Sequence, residues 1–120
     1  MKKRIGVCLI GAGFVGRKHA EAYRSQRDAV LRVICEKDPV LAAQFIEKYG
    51  FERAESDWRT AVCAEDIDLV CICTPSHMHI QIAEEALKHG KHVCCEKPLG
   101  LNGKESECLS KLAEEKGVFA

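Results

Sequence analysis

Apolar positions along this chain alternate between two patterns, short unbroken runs and longer stripes at helical spacing. The first run covers residues 5–10 and stops abruptly at a glycine-rich turn. Residues 14–26 then read as a helix, with Val15, His19, Ala22 and Tyr23 as its apolar stripe. Residues 30–35 form the second strand. Asp38-Pro39 is a strong helix start, an N-cap carboxylate followed by proline at the first helical position. Leu41, Ala42, Phe45, Ile46 and Tyr49 make the stripe of that helix, and Gly50 is its stop. Residues 52–55 predict a short third strand and 58–62 a brief helix.

The second half opens at 69–73, apolar throughout, as a strand buried on both faces should be. Thr74-Pro75-Ser76 ends it, and a helix over 79–89 is closed by Gly90. Residues 92–95 are the fifth strand, stopped by Glu96-Lys97-Pro98. Asn102 and Glu105 resemble a capping box opening a last helix, with Cys108, Leu109, Leu112 and Ala113 as its core stripe. Gly117 ends it, and residues 118–120 begin a sixth strand. Alternation of strand and helix predicts an α/β fold, a doubly wound parallel sheet in three layers.

The turn after the first strand reads Gly11-Ala12-Gly13-Phe14-Val15-Gly16. A G-x-G-x-x-G string between a strand and a helix is a dinucleotide-binding signature of the Rossmann fold. Gly11 makes the tight turn, Gly13 lets backbone approach a pyrophosphate, and Gly16 lets the helix pack closely on the sheet. The N–H groups and positive dipole end of the helix then hold phosphate. The alternative is a glycine turn with no ligand. Glu36 decides more. It ends the second strand about twenty residues past Gly16, where the fold needs a carboxylate to accept hydrogen bonds from the adenosine ribose. An unmodified ribose, and therefore NAD, is favoured by that charge, while Lys37 beside it keeps NADP open.

Composition narrows the classes. The 120 residues suffice for one domain with a real core. Acidic and basic residues balance at 18 each, so no net field draws in nucleic acid or an anionic membrane. No apolar run is long enough to span a bilayer, and the basic start meets a glycine turn too soon for a signal peptide, which together predict a cytoplasmic protein. Eight cysteines without a C-x-x-C pair read as reduced thiols, most of them packed as small hydrophobes in strands. A metal set of Cys71, Cys73, His77 and His79 is conceivable by residue type, but the histidines lie beyond the strand end, and no metal is expected there.

Three segments together, Gly11 to Gly16, Thr74-Pro75-Ser76-His77-Met78-His79 and Gly90-Lys91-His92-Val93-Cys94-Cys95-Glu96-Lys97-Pro98, resemble the glucose-fructose oxidoreductase/inositol dehydrogenase (Gfo/Idh/MocA) family. The likeness is to that family's N-terminal nucleotide-binding domain and covers essentially the whole chain. It implies that Gly11, Phe14 and Val15 form the pyrophosphate turn and Glu36 and Lys37 the ribose corner. It further implies that Thr74, Pro75 and His79 line the cofactor. Glu96 and Lys97 then sit beside the nicotinamide, where the lysine touches substrate and assists proton movement. Ser76 departs from the asparagine common at its position.

Residues 1–120 are accordingly expected to be one dinucleotide-binding domain, a fragment of a longer two-domain oxidoreductase acting on a small hydroxy compound. The family's second domain is absent, and any homo-oligomer would form through it. A non-catalytic dinucleotide sensor and a methyltransferase are the competing readings. An intact E-K-P speaks for the enzyme against both, and the third glycine speaks further against a methyltransferase.

Overall fold

The computed structural model describes residues 4–74, 78–95, 111–112, 114–115 and 117, and of Phe14, His79 and Cys95 only the backbone. The elements in order are β1 (Ile5–Ile10), α1 (Phe14–Arg24), β2 (Ala29–Cys35), α2 (Pro39–Tyr49), β3 (Arg53–Glu55), α3 (Trp58–Val62), β4 (Leu69–Ile72), α4 (His79–Lys88) and β5 (His92–Cys95). The expected alternation is observed. Pro75, Ser76, His77, Glu96, Lys97, most of the last helix and the residues 118–120 lie outside the described set.

The five strands are all parallel, in the order β3-β2-β1-β4-β5. Chain order runs outward from β1 to β3 on one side, then crosses back to β4 and β5 on the other. Two cores result. On one face α1 and α2 cover Val7, Leu9, Leu31, Ile34 and Cys71. On the other, α3 and α4 cover Cys8, Ile10, Val33, Val70 and Ile72. Each fully buried Leu, Ile or Val contributes about 1.5–3 kcal/mol relative to exposure, which explains why the central strands are apolar on both faces.

Local chemistry sets the helix ends. The Asp38 carboxylate accepts from the N–H groups of Val40 and Leu41 at 3.0 and 3.4 Å, with Pro39 leading the helix. Gly50 closes α2 in the left-handed region, φ 84°, which favours glycine. The α2 stripe buries Ala42, Phe45 and Tyr49 as the spacing required. The stripe of α1 differs from expectation. Val15 and Ala22 are exposed, and the helix lies on the sheet through Gly16 and Ala20, with His19 and Tyr23 half-buried. Close packing needs small residues, so the contact line runs through the smallest side chains rather than the most apolar ones.

Polar cross-links gather at the edge where the strands begin. Gly6 N–H donates to the Asp68 carboxylate at 2.8 Å. Arg53 forks onto Asp66 at 2.7 and 2.8 Å, and Arg32 donates to Glu52 at 2.9 Å. These pairs are part-exposed and individually worth under about 1 kcal/mol. Lys91 is different. It is 8 % exposed, and its ammonium donates to the carbonyls of Ala64 and Ile67 at 2.8 and 2.7 Å, tying the start of β5 to the loop before β4. Lys91→Met keeps the stem and takes the ammonium from both carbonyls, of which that of Ala64 retains the Ile67 N–H at 3.3 Å. It should destabilise the fold by about 1–3 kcal/mol in urea unfolding, and an unchanged midpoint would show the ammonium to be dispensable.

Candidate functional site

Strands β1 and β4 lie side by side, but the chain leaves β1 toward β2 and leaves β4 toward β5 on the other side, and such a switch point is where open α/β sheets bind ligands. Gly11 occupies it. Its N–H donates to the Cys35 carbonyl at 2.9 Å, and its φ of 100° belongs to the region that favours glycine. A Cβ here would stand 2.8 Å from the Cys73 carbonyl oxygen. Gly16 is required for another reason, because its Cβ would strike the Gly11 carbonyl oxygen as α1 passes over the turn.

Gly13 has no such constraint. Its backbone is ordinary and a Cβ would meet nothing within 4 Å. The space a side chain would fill opens instead to the surroundings of the α1 N-terminus. Asp38 caps α2 and Asp57 caps α3, whereas α1, like α4, has no side-chain cap. Its first N–H groups have no partner within the helix, the arrangement that receives anions at helix starts.

Glu36 closes the site from the β2 side. One carboxylate oxygen accepts the Ala12 N–H at 3.0 Å and the other the Asp38 N–H at 3.1 Å. Both contacts hold the carboxylate against the glycine turn, and each oxygen keeps capacity for a further donor. Lys37 stands beside it. The resulting cleft is ≈ 350 Å³ and includes Gly11, Gly13, Glu36, Lys37, Thr74 and Trp58. Cys35 is also in the wall, and burial, followed by the charges of Asp57, Glu55 and Glu36, pushes its thiol up to about 12, so it stays protonated and is no nucleophile. A larger depression of ≈ 520 Å³ between α1 and α2 lies away from every strand end and gathers none of these groups.

The structure thus brings Gly11, Gly13, Glu36, Lys37 and Thr74 into one cleft, with Gly16 acting through packing. Val15 is 37 % exposed and outside the wall. Phe14 and His79 begin their helices, with nothing further described of their side chains, and Pro75, Glu96 and Lys97 lie outside the described residues. Sequence reasoning missed Ala12, whose N–H fixes Glu36, and the Trp58 and Met78 walls. A backbone donor leaves no mark in residue type. Trp58 had a signal, since it follows Asp57, the cap of a helix that starts just past the end of β3.

The groups present fit a dinucleotide: an open glycine beside an uncapped helix start for a pyrophosphate, and an oriented carboxylate at the second strand end for a ribose. Comparison with known proteins agrees. A family model described as an oxidoreductase family with an NAD-binding Rossmann fold matches residues 5–120. Levoglucosan dehydrogenase of Pseudarthrobacter phenanthrenivorans is 39% identical over 97% of this chain and 32% of its own length. The solved structure of a levoglucosan dehydrogenase in complex with NADH and L-sorbose superposes with a TM-score of 0.89 at 38% identity, over 98% of this chain and 34% of that one. Biliverdin reductase from Synechocystis sp. PCC 6803, in complex with biliverdin and NADP+, gives 0.89 at 34% identity, over 96% of this chain and 36% of that one. The chain spans about a third of the length of these relatives. It belongs to the Gfo/Idh/MocA oxidoreductase family and carries that family's NAD-binding Rossmann fold.

Proposed function

We propose that this chain is the cofactor-binding part of an NAD(P)-dependent dehydrogenase acting on a sugar, polyol or related hydroxy compound. The observation that carries the reading is the cleft at the β1–β4 switch point, where an open Gly13, an uncapped α1 and the oriented Glu36 converge. The dehydrogenase relatives support the reaction type. A bound nicotinamide dinucleotide supplies a hydride acceptor or donor at this cleft.

The protein's own groups have separable tasks. Gly11, Gly13 and the first turn of α1 at Phe14 and Val15 receive the diphosphate through backbone N–H groups. Glu36 accepts from ribose hydroxyls, and Lys37 offers a cation to a 2′-phosphate. Thr74, Pro75, His79 and Glu96 flank the nicotinamide end by the family correspondence. Lys97, next to Glu96 in the E-K-P segment, holds or moves a proton at the substrate hydroxyl. Its retention favours an enzyme over a dinucleotide sensor, which needs the glycine turn and Glu36 but no proton carrier.

Cofactor choice follows from charge. NAD(H) should bind more tightly than NADP(H), because Glu36 repels a 2′-phosphate, and Glu36→Ala should narrow the gap. Calorimetric titration of both cofactors checks it, and equal or reversed affinities in the parent chain would refute the assignment.

Position 13 tests the site itself. Gly13→Val meets no protein atom at its Cβ, so it should leave the unfolding midpoint nearly unchanged while weakening NADH binding at least about tenfold, the effect of losing ~1.4 kcal/mol of phosphate contact. Unchanged NADH affinity would place the diphosphate elsewhere.

Turnover is a separate matter from binding. Holding a substrate against the nicotinamide can supply roughly 7–11 kcal/mol of barrier lowering, and orienting a polyol takes contacts from more than one side. The 120 residues should therefore bind NADH saturably yet show no dehydrogenase activity across a panel of polyols and sugars. In a longer protein carrying this segment, Lys97→Ala should lower kcat far more than it weakens NAD binding. Robust turnover by the 120-residue chain, or an unaffected kcat in the lysine variant, would overturn the assignment of roles.

A further inference from the structure

Strands β4 and β5 carry different chemistry on their two faces. On the α4 side the register partners are Val70 and Val93, ordinary core residues. On the α1 side the partners are Cys71 and Cys94, and Cys73, two residues past Cys71, projects the same way. The Sγ atoms of Cys71 and Cys73 are 3.8 Å apart. From above, α1 lowers His19 and Tyr23 onto this patch, one turn apart, with their rings stacked at 6.4 Å. One imidazole nitrogen of His19 and the Sγ atoms of Cys71 and Cys94 all lie within 4.8 Å of one another.

Filling the space between a helix and a sheet needs none of this, since the opposite face of the same strands does it with valine. The geometry points to a binding site for a closed-shell thiophilic cation of the zinc class, held by Cys71, Cys94 and His19, with Cys73 on hand as a fourth donor. Zinc–sulfur bonds of about 2.3 Å and zinc–nitrogen bonds of about 2.0–2.1 Å put tetrahedral donors roughly 3.5–3.8 Å apart. The Cys71–Cys73 separation already has that value, and the 4.8 Å envelope of the other three contracts to it by rotamer adjustment. Cys71 is buried, whereas Cys73, Cys94 and His19 are half-buried, so the anchor is rigid and a path from solvent remains. On binding, two thiol protons pass to solvent, and a dication between two thiolates and a neutral imidazole leaves no net charge in the half-buried layer.

The set differs from the one that residue type alone suggested, in which His77 and His79 stood where His19 and Cys94 now do. His19 arrives on α1 and Cys94 on β5, so only the crossover connections bring them to Cys71. The three primary ligands lie outside the dinucleotide cleft, whose wall includes the fourth donor, Cys73.

Cobalt is the probe, because Co2+ occupies zinc sites and reports thiolate ligation by colour. The reduced, metal-free chain should develop thiolate-to-cobalt charge-transfer absorption and tetrahedral d–d bands that saturate at one equivalent, and Zn2+ should bleach both. Cys94→Ser should remove a third or more of the charge-transfer intensity, one thiolate being lost from the set. His19→Gln should keep the charge-transfer band and weaken binding about tenfold or more. Cys63→Ser, at an exposed position beyond α3, should change nothing. Both ligand positions are part-exposed, and far-ultraviolet circular dichroism of each variant reports whether the fold persists. Absence of the charge-transfer band in the parent chain would overturn the site, as would a band of undiminished intensity and affinity in both Cys94→Ser and His19→Gln.

Discussion

The close approach of the Gly11 turn to the end of β4 is the constraint on which the rest of the structure depends. No side chain fits between Gly11 and the Cys73 carbonyl, and none fits between Gly16 and the Gly11 carbonyl. These two contacts draw α1 down onto the sheet and aim its first turn along the carboxyl edge of β1. With the turn so placed, the Ala12 N–H points at the end of β2, where Glu36 accepts it. One steric requirement therefore positions a helix terminus, a carboxylate and the gap between them. The chemistry of the cleft follows from backbone geometry before any side chain touches a ligand.

Much of this could be read from the chain alone, and the reasons are physical. Strands buried on both faces are apolar without interruption, so β1 and β4 announce themselves, β2 does so with Arg32 as its one charged position, and Asp38-Pro39 with Gly50 brackets α2 by cap chemistry that acts within four residues. The glycine spacing and Glu36 were legible because a tight strand-to-helix turn lying under its own helix demands glycine at 11 and 16, and the carboxylate at the end of β2 meets that turn at Ala12. Three features were not. The packing line of α1 runs through Gly16 and Ala20, and hydrophobicity ranks those below Val15, which the fold leaves exposed. Lys91 reads as a solvated charge but is a buried tie, and its partners Ala64 and Ile67 are backbone carbonyls 24 residues or more away. The Ala12 donor is likewise invisible in residue type.

The cysteines illustrate both sides of that limit. Cys8 and Cys35 behave as the strand pattern implies, small apolar side chains within the core shared with α3 and α4. Burial pushes the Cys8 thiol well up, ahead of the neighbouring Cys35, and keeps it inert. Cys71, Cys73 and Cys94 look the same in sequence, yet beside the aliphatic core of that side they meet His19 and Tyr23. Periodicity states that a residue is buried on one face of a strand. It does not state what the opposing helix presents, and that is what separates a packing thiol from a ligand.

The distribution of polar ties also divides the molecule into two ends with unlike obligations. Asp68 on Gly6, Arg53 on Asp66, Arg32 on Glu52 and Lys91 on two carbonyls all join loops at the edge where strands begin. At the opposite edge, Glu36 makes the comparable side-chain link between elements among the described residues. The edge where strands begin is thus laced from strand to strand by charged side chains. A substitution at that edge is felt by two elements at once, so the register of neighbouring strands depends on it as much as the loop that carries it.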